Sequence, residues 1–346
     1  MHCRKSYKKE EVMKNYLLGC DWGTSSFRLR LIDSSGHQLI GEITSQEGIA
    51  STFTAWKAIG DGATLPREQF FRRQLKRQIK QLSTKVGLDL SGIPIVISGM
   101  ASSSIGMAEV PYATLPFPVD GSLSSTKRLP KQGDFPHEIT LISGVRTEHD
   151  VMRGEETQLI GLLALLDTQP MTTDASILIF PGTHSKHVYI QNQQIIDFQT
   201  FMTGEVFNLM AHYSILKDSI APKELDMFSE RERNAFKSGV TESDSPSILN
   251  SLFRVRTNQL FSQLPKPENA LYLSGLLIGE ELKTLINQPQ WQLILCSGTN
   301  LYELYKLAMH ELQLSDRTTT ISADLIDKAT IAGQVKIAQN QLVNGY

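Results

Sequence analysis

The stretch Leu17-Leu18-Gly19-Cys20-Asp21-Trp22-Gly23-Thr24-Ser25-Ser26-Phe27-Arg28-Leu29-Arg30-Leu31-Ile32-Asp33 decides how this chain folds. An apolar run ends in an acid, and a turn of Gly, Thr and Ser follows. Phe27, Leu29 and Leu31 then alternate with Arg28 and Arg30. Period-two alternation on both sides of a glycine-containing turn predicts a β-hairpin. The turn offers backbone N–H groups, hydroxyls and, at the strand end, the Asp21 carboxylate. That set suits a phosphate with its magnesium. Amides and hydroxyls of Gly23, Thr24 and Ser25 serve the oxygens, and Asp21 serves the cation. The competing structural reading is a plain hairpin whose Asp caps an amide. No Walker-type G-x-x-x-x-G-K-[ST] loop occurs in the chain.

The bulk composition narrows the class. At 346 residues the chain is long enough for two domains, and 40% hydrophobic content supplies a sizeable core. A formal net charge of −2 gives no general basic field for nucleic acid or an anionic membrane. Cys3, Cys20 and Cys296 are far apart and odd in number. They suggest neither a disulfide framework nor a zinc site and fit a reducing cytoplasm. No apolar run reaches the ~18 residues that span a bilayer. Arg4, Lys5, Lys8, Lys9 and Lys14 are followed by no apolar core of a signal peptide, so residues 1–15 read as a frayed basic tail.

Further along, Gln38–Thr44 reads as a third strand and Gln46–Ala50 as a loop. Pro66–Val86 reads as an amphipathic helix with Pro near its first turn. Pro94–Met100 is a short buried strand, Ala101–Pro118 an irregular loop, and Ile139–Ser143 another strand. Asp150 is placed to cap a helix with an apolar face of Met152, Leu159, Ile160, Leu163 and Leu166. Ser176–Phe180 reads as a buried strand running through Pro181-Gly182-Thr183-His184-Ser185-Lys186 into another. Gln194–Gln199 alternates like a third. The helices between 204 and 286 read either as a homodimer surface or as plain domain architecture. Trp291–Cys296 is a late strand, and Ala323–Gln341 the last helix.

Strand, small-residue turn, strand thus occurs twice, each time followed by another strand and then helix. Such a repeat predicts two halves of related fold, whose turns together hold one polyphosphate. The second turn again supplies Gly182, Thr183 and Ser185, now with Lys186 to stabilise charge on a transferring phosphoryl group. A surface lysine on a hairpin is the plain alternative. His184 and His187 lack the helical spacing of a metal pair. In Cys296-Ser297-Gly298-Thr299-Asn300, small residues between strand and helix let backbone approach a flat ligand such as adenine, or simply cap the helix. Transfer to an alcohol needs a carboxylate base, and Asp150, Glu155 and Glu156 are candidates. Against that, Asp150 reads as a helix cap, and Glu155 and Glu156 as solvated helix charges. Arg153 either binds a substrate carboxylate or pairs with Glu156.

With these residues in place, the chain resembles the sugar kinase/heat-shock-70/actin superfamily, and within it the 2-dehydro-3-deoxygalactonokinases. Asp21–Ser25, Ser98–Met100, Glu109–Tyr112, Arg153–Gln158, Pro181–Lys186, Met202–Glu205 and Ala329–Gly333 carry the resemblance. It implies an α/β fold of two ribonuclease-H-like domains, 16–144 and 145–346, with an interdomain cleft and the last helix packing back on the first domain. It implies ATP-dependent phosphorylation of the 6-hydroxyl of 2-dehydro-3-deoxy-D-galactonate in galactonate breakdown. The partner is then a small sugar acid, with no nucleic acid and no membrane. Asp21 would organise Mg2+. Thr24, Ser25 and the Gly182–Ser185 turn would contact the phosphates, and Gly298 and Asn300 adenosine. Arg153, Arg28 and Lys186 are candidates for the substrate carboxylate. Loops Gln46–Ser51 and Ser98–Pro118, the latter carrying Gly99 and Met100, would shape the sugar site. Arg153-Gly154-Glu155 stands where the superfamily often has Gly-Asp, which leaves the base between Asp150 and Glu155. A kinase of another sugar or sugar acid, or a non-kinase nucleotide-dependent binding protein, is the alternative within the same superfamily.

Overall fold

The computed structural model describes residues 15–35, 38–60, 65–166, 175–222 and 228–343. The tail expected over residues 1–15 lies, but for Asn15, outside them. The chain forms two compact units. The first comprises the chain up to Met171 together with Asp327 onward, and the second Thr172–Ile326. The division therefore falls near 171, not at 144/145. The helix that follows residue 150 belongs to the first unit, with eight of its residues buried.

In the first unit, β1 (Tyr16–Trp22), β2 (Phe27–Asp33) and β3 (Gln38–Ser45) form an antiparallel meander. Helices α1 (Ile49–Ala58) and α2 (Arg67–Val86) follow, and β4 (Ile95–Gly99) then pairs parallel to β1. After β5 (Ala113–Thr114) come β6 (Thr126–Leu129) and β7 (Ile139–Ile142), giving the order β3-β2-β1-β4-β7-β6. A small sheet joins β5 to β8 (Val145–Arg146), and β8 to β9 (Val151–Met152). Helix α3 (Glu155–Leu166) follows. Period-two alternation in β1 sends Leu18, Cys20 and Trp22 into one core with Phe71, Leu75, Ile79 and Leu82 of α2. Trp22 meets Phe27 edge-on at 5.0 Å and Phe71 at 5.4 Å. Left-handed Gly87 ends α2.

The second unit repeats the plan. Strands β10 (Ala175–Phe180), β11 (Ser185–Gln191) and β12 (Gln194–Phe201) form an antiparallel meander. Helices α4 (Thr203–Tyr213), α5 (Glu230–Glu242), α6 (Ile248–Leu260) and α7 (Lys266–Leu282) follow. Strand β13 (Gln292–Leu295) lies parallel to β10. Helix α8 (Thr299–Glu311) and β14 (Thr318–Thr320), parallel to β13, come next. Helices α5 and α7 cross at glycines: a Cβ on Gly239 or Gly275 would overlap the Tyr272 or Phe236 carbonyl. Two copies of a meander flanked by a parallel strand give a ribonuclease-H-like, actin-type α/β architecture.

The last helix, α9 (Ala323–Val343), packs within the first unit from Asp327 on. A Cβ on Gly161 of α3 would overlap Ala329 O, and one on Gly333 would overlap Thr157 O. Gln334 donates to Cys20 O and Ser98 Oγ, both at 2.9 Å, directly beneath β1 and β4. No helix among the described residues is long and apolar enough to cross a membrane.

Three local expectations are corrected. The stretch read as a loop over 46–50 already starts α1 at Ile49. Met100–Ser102 is a 3-10 turn and Ala113–Thr114 a strand inside the segment read as irregular. Asp150 caps no helix: it sits in the β8–β9 turn, where its backbone N–H donates to Thr147 Oγ1 at 2.7 Å and its Oδ1 accepts Val151 N–H at 2.7 Å.

Candidate active site

In the first unit the turn after β1 is held from behind by the N-terminus of α1. Ile49 N–H donates to Gly23 O at 2.9 Å and Ala50 N–H to Thr24 O at 3.0 Å. Trp22 Nε1–H anchors the same segment on Glu47 O at 3.0 Å. Only glycine fits at 48, where a Cβ would lie 2.5 Å from the Ser25 backbone. A helix N-terminus has N–H groups without intrahelical partners, and here two of them take up turn carbonyls. The exposed N–H groups of Thr24, Ser25 and Ser26 then have no acceptor among the described residues. Outward N–H groups beside a carboxylate form a cradle suited to a phosphate and its cation.

The second unit uses the same device. Glu205 N–H, in the first turn of α4, donates to Thr183 O at 3.0 Å. Gly204 must be glycine, because a Cβ would lie 2.6 Å from Gly182 O and 2.8 Å from Thr183 Cα. Gly48 and Gly204 are thus equivalent positions, each the close approach of a helix start to a turn. Thr183 and His184 are exposed, and His184 Nε2 contacts Glu205 Oε2.

Two residues expected at this turn lie elsewhere. Ser185 is fully buried, with Oγ accepting Gly182 N–H at 3.3 Å and bonded to Tyr305 Oη at 3.0 Å. It braces the turn from below rather than lining its open side. Lys186 is also buried, not a surface lysine, because β11 runs through the middle of its sheet.

Asp21, next to last in β1, is half-buried in an opening it shares with Ser26, Arg28 and Thr44. Burial raises its pKa, Arg28 and Arg30 oppose that, and Glu155 adds to it. Gly99 ends β4 with φ +86°, where a Cβ would lie 2.8 Å from Trp22 O. Gly154, at φ +114°, faces Gly99. The two glycines bring the Arg153–Glu156 segment to the end of β1, so Asp21 and Glu155 feel each other's charge. Met100 packs against the core.

Arg153 is locked in place: its guanidinium lies 4.1 Å from the centre of the Tyr112 ring, contacts Ser102 Oγ and donates to Ser143 Oγ at 3.3 Å. It does not pair with Glu156. Its backbone N–H donates to Glu155 Oε2 at 2.9 Å. Glu156, read as a solvated charge, is buried. It accepts Gly154 N–H at 2.7 Å and Thr157 Oγ1–H at 2.8 Å, and burial with the Glu155 charge pushes it up to about 7. Arg28 is exposed, with Nε 3.8 Å from Glu42.

A cavity of about 460 Å³ in the second unit runs from Gly182, Thr203 and Gly204 to α7 and to Asn300, Leu304 and Tyr305 of α8. Its lining is largely apolar with a few polar groups, as a heterocyclic base requires. Asn300 lines it, while Gly298 is the N-cap of α8 and has open space where a Cβ would be. No cluster of three or more His, Cys, Asp or Glu suited to a metal occurs among the described residues. Magnesium needs none: it commonly takes one or two carboxylates and completes its shell with phosphate and water, which Asp21 beside the first turn fits.

Comparison with known proteins shows the family. The family model described as 2-keto-3-deoxy-galactonokinase matches residues 21–337. A 2-dehydro-3-deoxygalactonokinase of Escherichia coli (strain K12) is 34% identical over 246 residues, 69% of this chain and 77% of that protein. A Rhizobium meliloti (strain 1021) protein named a probable 2-dehydro-3-deoxygalactonokinase is 33% identical, over 77% of this chain and 79% of its own. A crystal structure of a Sinorhizobium meliloti protein described by the same kinase name superposes with TM-score 0.74 at 29% identity. It covers 96% of this chain and 98% of that one.

Proposed function

Because this chain belongs to the 2-keto-3-deoxy-galactonokinase family, we propose that it transfers the γ-phosphoryl group of ATP to the 6-hydroxyl of 2-dehydro-3-deoxy-D-galactonate, in galactonate breakdown. The observation that carries the proposal is the pair of turns whose carbonyls are drawn back onto helix starts, with exposed amides left to meet anions.

In this reading the second unit's cavity takes the adenine, with Asn300 at its wall and Gly182 beside it, and the exposed Thr183 and His184 present backbone N–H groups to phosphate oxygens. Thr24 and Ser25 donate from the first turn, and Asp21 holds Mg2+. When bound, the magnesium neutralises phosphate charge. Arg153, preorganised on Tyr112 and Ser102, offers its fork to the substrate carboxylate. Glu155 takes the proton of the 6-hydroxyl as that oxygen bonds to phosphorus and the bond to ADP breaks. It is preferred to Asp150 because its charge acts on Asp21, whereas Asp150 is committed to a hairpin turn.

A panel of sugars and sugar acids with coupled ADP detection tests the reaction. Acceptor-dependent ADP release, greatest with 2-dehydro-3-deoxy-D-galactonate, supports it. Release with a different sugar acid reassigns the acceptor, and none with any acceptor refutes a kinase. Glu155→Gln should lower kcat by ~10²–10⁴-fold and Asp150→Asn only slightly. The reverse order would move the base to Asp150.

A further inference from the structure

Beneath the second turn lies a buried polar cluster that phosphate contact alone does not require. Glu281 of α7 is 2% exposed. Its Oε1 faces His187 Nε2 at 3.1 Å, and its Oε2 accepts from Tyr305 Oη at 2.7 Å and from Thr203 Oγ1. A carboxylate only accepts, so Tyr305 gives its proton to Glu281 and leaves its own oxygen to accept from Ser185, 3.0 Å away. Ser185 Oγ in turn accepts Gly182 N–H at 3.3 Å. Gly182 O, 3.5 Å from Ser185 Oγ, is a second acceptor for the serine proton, so Ser185 brackets the Gly182 peptide while Tyr305 links it to Glu281. Burial, and then the Glu281 charge, push the Tyr305 phenol well above its ordinary range, so it stays a donor.

The other branch reaches the same turn. Thr203 begins α4, and the next two residues grip the turn at Gly182 O and Thr183 O. One carboxylate thus ties down both the floor of the turn and the helix start that clasps it. Thr203 and Tyr305 are also wall residues of the apolar cavity. An apolar core of the same shape would avoid the cost of four buried polar side chains. The cluster even leaves His187 Nδ1 buried with no partner among the described residues.

We propose that Glu281 is a positioning residue for nucleotide binding, holding the Gly182–Ser185 turn and the Thr203–Tyr305 wall in the geometry that accepts an adenine nucleotide. The proposal rests on the second unit being the nucleotide site. Glu281 itself touches no ligand. Replacement by glutamine keeps its size but puts an amide donor where donors already converge.

The test is isothermal titration of the full chain with ADP, with kinetics alongside. Glu281→Gln should raise the ADP Kd by about tenfold, and Tyr305→Phe, which removes one hydroxyl, by about threefold. The KM for the sugar acid should stay within about twofold, a split that general loosening would not produce. Should Glu281→Gln not fold, Tyr305→Phe carries the test alone. ADP binding at wild-type affinity in the folded variants, even with a lowered Tm, overturns the proposal. A wild-type chain that binds no ADP overturns instead the nucleotide assignment beneath it.

Discussion

Gly204→Ala probes the grip of α4 on the second turn. The new methyl carbon would lie 2.6 Å from Gly182 O and 2.8 Å from Thr183 Cα. Both are backbone atoms of the turn, so neither can swing aside as a side chain could. Reaching 3.4 Å, where ordinary contact begins, takes 0.8 Å (3.4 − 2.6) and 0.6 Å (3.4 − 2.8) of separation. Overpacking of this kind costs about 1–3 kcal/mol. The strained Glu205 N–H to Thr183 O bond adds about 1 kcal/mol. At roughly 2–4 °C per kcal/mol, the Tm should fall by about 10 °C. If the turn contacts phosphate as proposed, a shift of this size should lower kcat/KM for ATP by roughly 10–100-fold, since a 1 Å misplacement can cost about 10²-fold. Coupled ADP detection and a thermal melt measure both. A Gly204→Ala enzyme with wild-type Tm and wild-type kcat/KM for ATP would refute the clasp and its part in catalysis.

Other variants separate ligand contact from stability. A Cβ on Gly182 meets nothing within 4 Å, so Gly182→Ala should leave the Tm unchanged. It should still raise the KM for ATP at least about tenfold by crowding the phosphates (tenfold is 1.4 kcal/mol), and an unchanged KM would remove phosphate from that turn. Arg153→Met should raise the sugar-acid KM about 10–100-fold, the ~1.5–3 kcal/mol of a charged hydrogen bond, with the ATP KM unchanged. An altered ATP KM alone would reassign Arg153. Glu156 supplies a pH test. Its folded pKa of about 7 lies above the ordinary 4.5, so the folded state holds a proton that the unfolded state has lost between those values. Stability from this group therefore falls as pH rises from 4.5 to 7, by on the order of 3 kcal/mol at 1.36 per unit. Glu156→Gln mimics the protonated form, so melts at pH 5 and pH 8 should show the variant gaining on the wild type at the higher pH. Parallel melting at both would contradict the assignment.

What could be read in the sequence was local. Alternation in β1 and β2, the small-residue turns and their recurrence are properties of neighbouring residues, and they lead to the two-unit fold. The α1 start carries no local signal, because Gly48 brings no side-chain cap and what fixes it is a contact with Thr24 and Ser25, distant in sequence. The motif Met202–Glu205 was legible as a resemblance, but its reason, the approach of Gly204 to Gly182, is tertiary. Burial of Glu156, Lys186 and Glu281 was not legible at all, since a charge is solvated by default and only a fold that supplies its donors reverses that. Asp150 is no cap because Gly154, at φ +114°, breaks the chain between the hairpin and α3, which sets the helix start at Glu155 rather than next to Asp150.

The most direct test of the central claim is to incubate the chain with ATP, Mg2+ and 2-dehydro-3-deoxy-D-galactonate and to record the phosphorus–proton NMR correlation of the product. A phosphate coupled to the C6 protons, appearing in step with ADP, is the predicted result. ATP left unconsumed, or phosphate appearing only as the free ion regardless of acceptor, would contradict it.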